Sequence, residues 1–423
     1  MVQRKRGSAM SDTAVEDLSA ERVEDLVGVV NDADAHEMAP MHVWGDVFGP
    51  AAGLMSDVLA GFIEEQGNDP FGLYRPELRA DDVEITSQSV WNIRGPGAPS
   101  AADFTRRLEV LDVMGIDKQL LFPSFAILAS VMSTAAESFL RGKWGLTLPI
   151  EEIRALGRGA IADYNDWSAR VTAMAPDRLR PVGYVVDDGS VADLLNQARD
   201  LVGRGIRAIN IPAGTPPGGV SPADPALDPF WEFAASSDVP VLLHVGGDRG
   251  FMASTAWSAA PAFAPGKVGS AEIGVDPYSI ATIQFAPSNF LTAMTLGGVF
   301  ERFPNLRFGV IELGCTWFGP LSESLDMCAR DVFAKRLAPY LSMRPSEYLA
   351  RNVRVTPFNQ FEPVERELER YPHLRSCYCF SSDYPHYEGG IDSKRMLYER
   401  LVSLGDDVLD GFFRRNAQLL LPD

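Results

Sequence analysis

One stretch near the C-terminus, Cys377 to Gly390 (CYCFSSDYPHYEGG), gathers the groups best suited to acid–base or metal chemistry. Cys377 to Ser381 have strand character, and the strand ends at Ser382-Asp383 before a break at Pro385. Asp383 is therefore a carboxylate at a strand end, with His386 three residues on and a Gly-Gly turn beyond. In a parallel α/β barrel, catalytic groups occupy such positions, because the loops vary while the barrel holds the strand ends rigid. Read alone, the same aspartate serves equally as a helix cap or a turn residue.

The other candidates tip that balance. The chain has 5 histidines: His36, His42, His244, His373 and His386. His36 and His244 end predicted strands, and Glu312 ends another. Asp34 stands two residues before His36, so on a strand both side chains point the same way. Imidazoles and carboxylates converging on one mouth are a donor set for a divalent metal. Singly, a strand-end histidine is more often a hydrogen-bonded structural residue, and Asp34 or Glu312 a cap. Their coincidence at one end favours a site. His42 and His373 have no such placement. His386, one turn past Asp383, reads either as a partner of that carboxylate or as a surface residue.

The positioning elements follow from apolar runs and breakers. The run Leu26–Val30 predicts a first strand, with the polar segment Asn31–Glu37 at its mouth. Further strands are predicted at Lys118–Phe122, Leu179–Val186, Ile206–Ile211, Val239–Leu243, Leu306–Ile311, Val353–Thr356 and Cys377–Ser381. Helical spacing separates them at Ala101–Met114, Ile150–Met174, Val191–Val202, Pro229–Ser236, Tyr278–Phe303, Trp317–Leu337 and Pro363–Tyr371, and continues in the tail, Lys394–Leu421. The strands are short and apolar without alternation, as in a sheet buried on both faces. This repeated alternation predicts an α/β fold of the (β/α)8, TIM-barrel type. An open doubly wound sheet is the weaker alternative, since Asn31–Glu37 lacks its glycine-rich first turn. Residues 38–99 and 248–275 read as long insertions after the first and fifth strands. Residues 1–25 read as a mobile arm, and 26–423 as one barrel domain.

Composition narrows the function. The 423 residues carry a formal net charge of −19, which opposes binding to nucleic acid or anionic membranes. An anionic substrate would then need a local arginine or a metal; Arg94 and Arg249 are the candidates, with Trp44 and Trp91 as possible pocket walls. No apolar run is long enough to span a bilayer, and the basic patch Arg4–Arg6 precedes no apolar stretch that would make it a signal peptide. The 4 cysteines form no metal-binding pattern, and a reducing cytoplasm fits them.

Taken together, Asp32-Ala33-Asp34-Ala35-His36, Leu243-His244, Glu312-Leu313-Gly314 with Trp317, and Ser382-Asp383-Tyr384-Pro385-His386 followed by Glu388-Gly389 resemble the amidohydrolase-related family. This branch of the amidohydrolase superfamily contains aminocarboxymuconate semialdehyde decarboxylase and several hydroxybenzoate decarboxylases. Connecting segments are similar too, among them Leu111–Pro123 (LDVMGIDKQLLFP), Tyr164–Trp167, Asp228–Trp231 and Gly297–Pro304. The resemblance implies a (β/α)8 barrel with one divalent metal, zinc or manganese, and a homodimer. Carried over, the ligands are Asp34, His36, His244 and Asp383. Asp34 stands where the family has the first histidine of its HxH pair, and Glu312 where it has a strand-six histidine. Oxygen-rich donor sets favour manganese, iron or magnesium over zinc. The implied chemistry is C–C cleavage of a small carboxylated substrate, with Asp383, Glu312 and His386 as acid–base groups. Hydrolysis of an amide, ester or lactone uses the same donor set, and a catalytically silent, ligand-binding barrel is the third reading.

Overall fold

The strands are too short to carry a side-chain pattern of their own, so backbone hydrogen bonds define their order. The computed structural model describes residues 29–66, 75, 77–78, 81–247, 251–252, 254–263, 277–358 and 361–422. The proposed arm and Arg249 lie outside these residues. Among the described residues, β1 (Val30–Asp32), β2 (Ile116–Leu121) and β3 (Leu179–Pro181) form one parallel sheet. A second contains β4 (Gly183–Tyr184), β5 (Ile209–Asn210), β6 (Val241–His244), β7 (Phe308–Ile311) and β8 (Val353–Val355), also parallel and in chain order.

Only Val182 separates β3 from β4. Its N–H donates to the Leu121 carbonyl at 2.8 Å, while the Gly183 N–H donates to Ala208 at 2.8 Å. On the far side, the Cys379 N–H donates to Val355 (3.0 Å) and the Ala33 N–H to Phe380 (3.1 Å). An inner cluster draws Ala33, Leu120, Val182, Ala208, Leu242, Ile311 and Cys379 together from successive strands, beneath Ala417, Leu420 and Leu421 of the C-terminal segment. Gly309 of β7 lets that segment approach: a Cβ there would lie 2.5 Å from Leu242 and 3.1 Å from Leu420. Side chains from the strands anchor the segment. Asn31, Arg180, Arg307 and Arg354 donate to the carbonyls of Arg414, Pro422, Leu419 and Asn416.

Helices pack outside. The helix Ile150–Met174 has the predicted bounds and turns Ile153, Ala160, Ile161, Tyr164, Trp167 and Val171 inward at helical spacing. Its Asn165 donates to the Tyr184 carbonyl and accepts from the Tyr184 N–H, both at 2.9 Å, fastening helix to β4.

Several boundaries differ from expectation. Among the described residues the first strand is Val30–Asp32, where Asp32 finds buried hydrogen-bond partners; residues 26–28 of the predicted strand lie outside the described residues. Among the described residues of 38–99, three helices were not predicted: Trp44–Val47, Pro50–Gln66 and Ser87–Asn92. Helices Phe125–Thr134 and Glu137–Trp144 went unpredicted. Residues Pro372–Cys377 form a 3-10 helix, so the last predicted strand reduces to an extended run with a single bridge, Val355 to Tyr378. The long helix predicted from Trp317 ends at Met327 in a π-turn, Cys328–Val332.

Leu420 is fully buried and plugs the inner cluster. Leu420→Ala is expected to cost about 2–5 kcal/mol in urea unfolding. A loss under 1 kcal/mol would show that the C-terminal segment does not complete the core.

Candidate metal centre

Past β1 the chain stays extended, and its edges are held from both sides. The Phe122 N–H donates to Ala35 (2.7 Å), the Asp383 N–H to Asp34 (2.9 Å), and the His36 N–H to Tyr384 (2.7 Å). Asp34 and His36 therefore project together, as the period of two requires. His244 is the last residue of β6, and Glu312 directly follows β7. Glu312 takes φ +55° and Asp383 φ +48°, the left-handed region that non-glycine residues rarely occupy. The Glu312 N–H donates to the Thr356 hydroxyl at 2.9 Å, which fixes that conformation. Strain of this kind concentrates at functional sites.

These side chains meet at one buried point. His36 Nε2 lies 3.4 Å from Asp34 Oδ1, 3.3 Å from Asp383 Oδ1 and 3.8 Å from Glu312 Oε2. His244 Nε2 lies 3.4 Å from Asp34 Oδ1 and 3.2 Å from Glu312 Oε2. Two ligands bound to one ion at about 2.1 Å stand roughly 3.0–3.4 Å apart in octahedral or tetrahedral geometry. The observed spacing has that scale. His244 Nδ1 is 3.0 Å from the Val245 carbonyl, which can only accept; Nδ1 therefore holds the proton and Nε2 turns a lone pair inward. Both oxygens of Asp34 and of Asp383, Glu312 Oε2 and the inward nitrogens of His36 and His244 have no hydrogen-bond partner among the described residues. Buried polar atoms left open in this number are costly unless a cation meets them. The donor set fits a divalent ion.

The electrostatics agree. Burial, then Asp383 and Asp34, drive the Glu312 carboxyl well above its ordinary range. Burial alone would lower His36, yet the adjacent Asp34 and Asp383 carboxylates raise it to about 10. Burial opposes ionisation of Asp383, but His386 and His36 hold it below the usual carboxylate range. The carboxylates thus draw positive charge inward.

His386 is buried and belongs to the site. Its Nδ1 lies 3.3 Å from Asp383 Oδ1, and its ring stacks on His36 with centroids 3.7 Å apart. Ser124 donates its hydroxyl proton to the Glu37 carbonyl, so it accepts from His386 Nε2 at 2.8 Å. Phe122 stacks on His244 at 4.2 Å. His42 and His373 are exposed, away from the cluster. Trp44 is a core residue rather than a pocket wall: it is fully buried, bonds the Ala39 carbonyl and packs on Phe125. Trp91 is half-buried in the helix Ser87–Asn92. Arg94 is 8% exposed, and none of its three guanidinium nitrogens donates to a described residue. Its guanidinium lies 5.5 Å from the centre of the Tyr384 ring, within electrostatic reach of Asp383. Asp32, Gln119, Ser124 and Thr356 were not among the predicted site residues. Only Asp32 carried a signal, its alternation with Asp34 and His36.

A family model described as Amidohydrolase matches residues 154–422. A search of curated proteins finds no match. Among solved structures, an amidohydrolase from Mycobacterium avium subsp. paratuberculosis K-10 superposes with TM-score 0.62 at 18% identity, over 93% of this chain and 99% of that one. The 5-carboxyvanillate decarboxylase of Novosphingobium aromaticivorans, complexed with manganese and 4-hydroxy-3-methoxy-5-nitrobenzoic acid, gives 0.54 at 19%, over 93% and 96%. A 2,6-dihydroxybenzoate decarboxylase from Rhizobium gives 0.52 at 16%, over 93% and 98%.

Two outcomes follow from this geometry. Plasma mass spectrometry is expected to find about one equivalent of divalent metal in the wild type, lost in His244→Ala and in Asp383→Ala; full retention in both variants would remove them from the centre. Glu312→Gly deletes one crowded carboxylate and relieves a left-handed residue, so after chelation it should be more stable than wild type by about 1 kcal/mol or more. With manganese added, that order should reverse. A variant less stable under both conditions would show that Glu312 is structural.

Proposed function

The chain belongs to the amidohydrolase family, and on that premise we propose that it is a metal-dependent decarboxylase acting on a small carboxylated aromatic or cyclic acid. The observation that carries this reading is a pair of overlapping buried clusters, Asp34, His36, His244 and Glu312, and His36, Glu312, Asp383 and His386, in which inward atoms of Asp34, His36, His244, Glu312 and Asp383 lack partners among the described residues. Similarity in fold to decarboxylases of carboxylated phenols supports the reaction class.

A divalent ion held by Asp34, His36, His244 and Asp383 supplies a Lewis acid for a substrate carboxylate or ring hydroxyl. Arg94 offers an unused guanidinium fork for the same anion, in the bidentate manner arginine favours. Glu312 delivers a proton to the ring carbon as the C–C bond breaks; the carboxylate leaves as carbon dioxide, and a proton from solvent restores Glu312. His386, pinned by Ser124, holds Asp383 from behind.

The same reading extends to the frame. We take the strands as a closed (β/α)8 barrel within a single domain from residue 26, with insertions at 38–99 and 248–275. The hydrogen bonds through Val182, from the Cys379 N–H to Val355 and from the Ala33 N–H to Phe380 support closure, as does the inner cluster. Three carboxylates beside two imidazoles favour manganese over zinc, and manganese accompanies the neighbouring decarboxylase. Four free cysteines support a cytoplasmic enzyme. Exposed Met327, Val332 and Phe333 support a homodimer face on the predicted Trp317–Leu337 element.

The test is carbon dioxide release from hydroxybenzoates by manganese-loaded protein, run beside lactones and amides. Turnover of lactones or amides alone would replace decarboxylation with hydrolysis, and no turnover together with tight ligand binding would leave a silent barrel. Arg94→Ala is expected to raise KM for the acid about 10–100-fold; an unchanged KM would move the carboxylate elsewhere.

A further inference from the structure

Directly behind the cluster lies a buried carboxylate that faces no open ligand position. Asp32 is fully enclosed and meets four donors. Its Oδ1 accepts from the backbone N–H of Ser382 at 2.8 Å and of Asp34 at 3.3 Å. Its Oδ2 accepts from the Ser382 hydroxyl at 2.6 Å and the Gln119 amide at 2.8 Å. The orientation of that amide is dictated from the other side. Arg107 Nη1 donates to Gln119 Oε1 at 3.2 Å, so Nε2 must face Asp32. Arg107 is itself buried, and its Nη2 donates to the carbonyls of His36 (2.8 Å) and Ser100 (3.1 Å). A chain of directed hydrogen bonds thus runs from Arg107 through Gln119 and Asp32 to Ser382. It touches the backbone of Asp34, of His36 and of the residue preceding Asp383.

We propose that Asp32 is the positioning residue of the centre, an obligatory acceptor that ties the backbone of Asp34 to that of Ser382 and so sets the distance between the Asp34 and Asp383 carboxylates. This inference rests on the reading of the cluster as a metal centre. Its reasoning is one of donor and acceptor count. A carboxylate accepts all four bonds. An amide of the same shape presents an N–H to the Ser382 hydroxyl, which can rotate, and to the Gln119 amide, which cannot while Arg107 holds its oxygen. Partly satisfied buried networks are costly and lose their geometry. The loss falls on the two elements that carry the carboxylate ligands, 350 residues apart in sequence.

The experiment is Co2+ titration of chelated protein, followed by the visible cobalt absorption, with thermal melting of the metal-free forms alongside. D32N is expected to melt cooperatively, to bind Co2+ about 10–100-fold more weakly than wild type, and to show altered cobalt bands. D32N/Q119E should recover both affinity and bands, because the new amide then donates to a carboxylate whose other oxygen faces Arg107. Ser382→Ala removes one of the four contacts and the acceptor of the Tyr384 N–H (3.2 Å) without setting a new donor against Gln119, so it covers the case in which D32N fails to fold; it too should weaken Co2+ binding. Wild-type affinity and bands in D32N, or in S382A where D32N is unfolded, would overturn the inference. So would a loss in D32N that the double variant does not restore, since that marks general loosening. A wild type that takes up no Co2+ would overturn the metal-centre reading itself, and this inference with it.

Discussion

The molecule depends on holding three carboxylates, Asp34, Glu312 and Asp383, at one water-poor point. Like charges brought together in a low-dielectric interior repel strongly, and each has surrendered its hydration. His36 and His386 offset part of that repulsion at Asp383, but they do not hold the three carboxylates together. The arrangement persists because each carboxylate is carried by a different part of the sheet, whose backbone bonds are formed elsewhere. Two of the three bearers also hold a left-handed backbone. The protein's own hydrogen bonds are made behind the ligands: the Thr356 hydroxyl accepts from the Glu312 N–H, Ser382 and Gln119 donate to Asp32, and the Val245 carbonyl accepts from the far nitrogen of His244. The inward atoms are left free, which is the opposite of how buried polar groups are normally satisfied.

This division explains which parts were legible from sequence. Histidines are few here, and a histidine or acid ending an apolar run is a local pattern, so His36, His244, Glu312 and Asp383 could be found without a structure. The helix Ile150–Met174 was equally plain, since a long amphipathic face is a strong periodic signal. What failed was whatever depends on distant partners. β1 occupies polar residues because Asp32 is satisfied by Gln119 and Ser382, which are remote in sequence. The helices Trp44–Val47 and Pro50–Gln66 carry glycine or proline near their starts, which reads as loop until their packing is known. Cys377–Ser381 has strand composition, yet the chain there needs only one bridge to pass between β8 and β1. Trp44 illustrates the remaining gap: an aromatic in an aperiodic stretch has no preferred reading until Phe125 is seen beside it.

The charge count at the centre also bears on the substrate. A dication meeting Asp34, Glu312 and Asp383 leaves one negative charge if all three are ionised, and Glu388 lies close enough to add to it. The chain as a whole carries −19. An anionic substrate approaching this mouth would be repelled unless a second fixed cation faced it. Two buried arginines lie near. Arg107 is committed to Gln119 and to the carbonyls of His36 and Ser100. Arg94 is not, and a buried guanidinium with open N–H groups is as costly as a buried carboxylate without donors. An acid bridging Arg94 and the metal would satisfy both defects at once. The same negative surplus that resists the free anion would then act on it once bound, since a carboxylate crowded by carboxylates is relieved when it departs as neutral carbon dioxide.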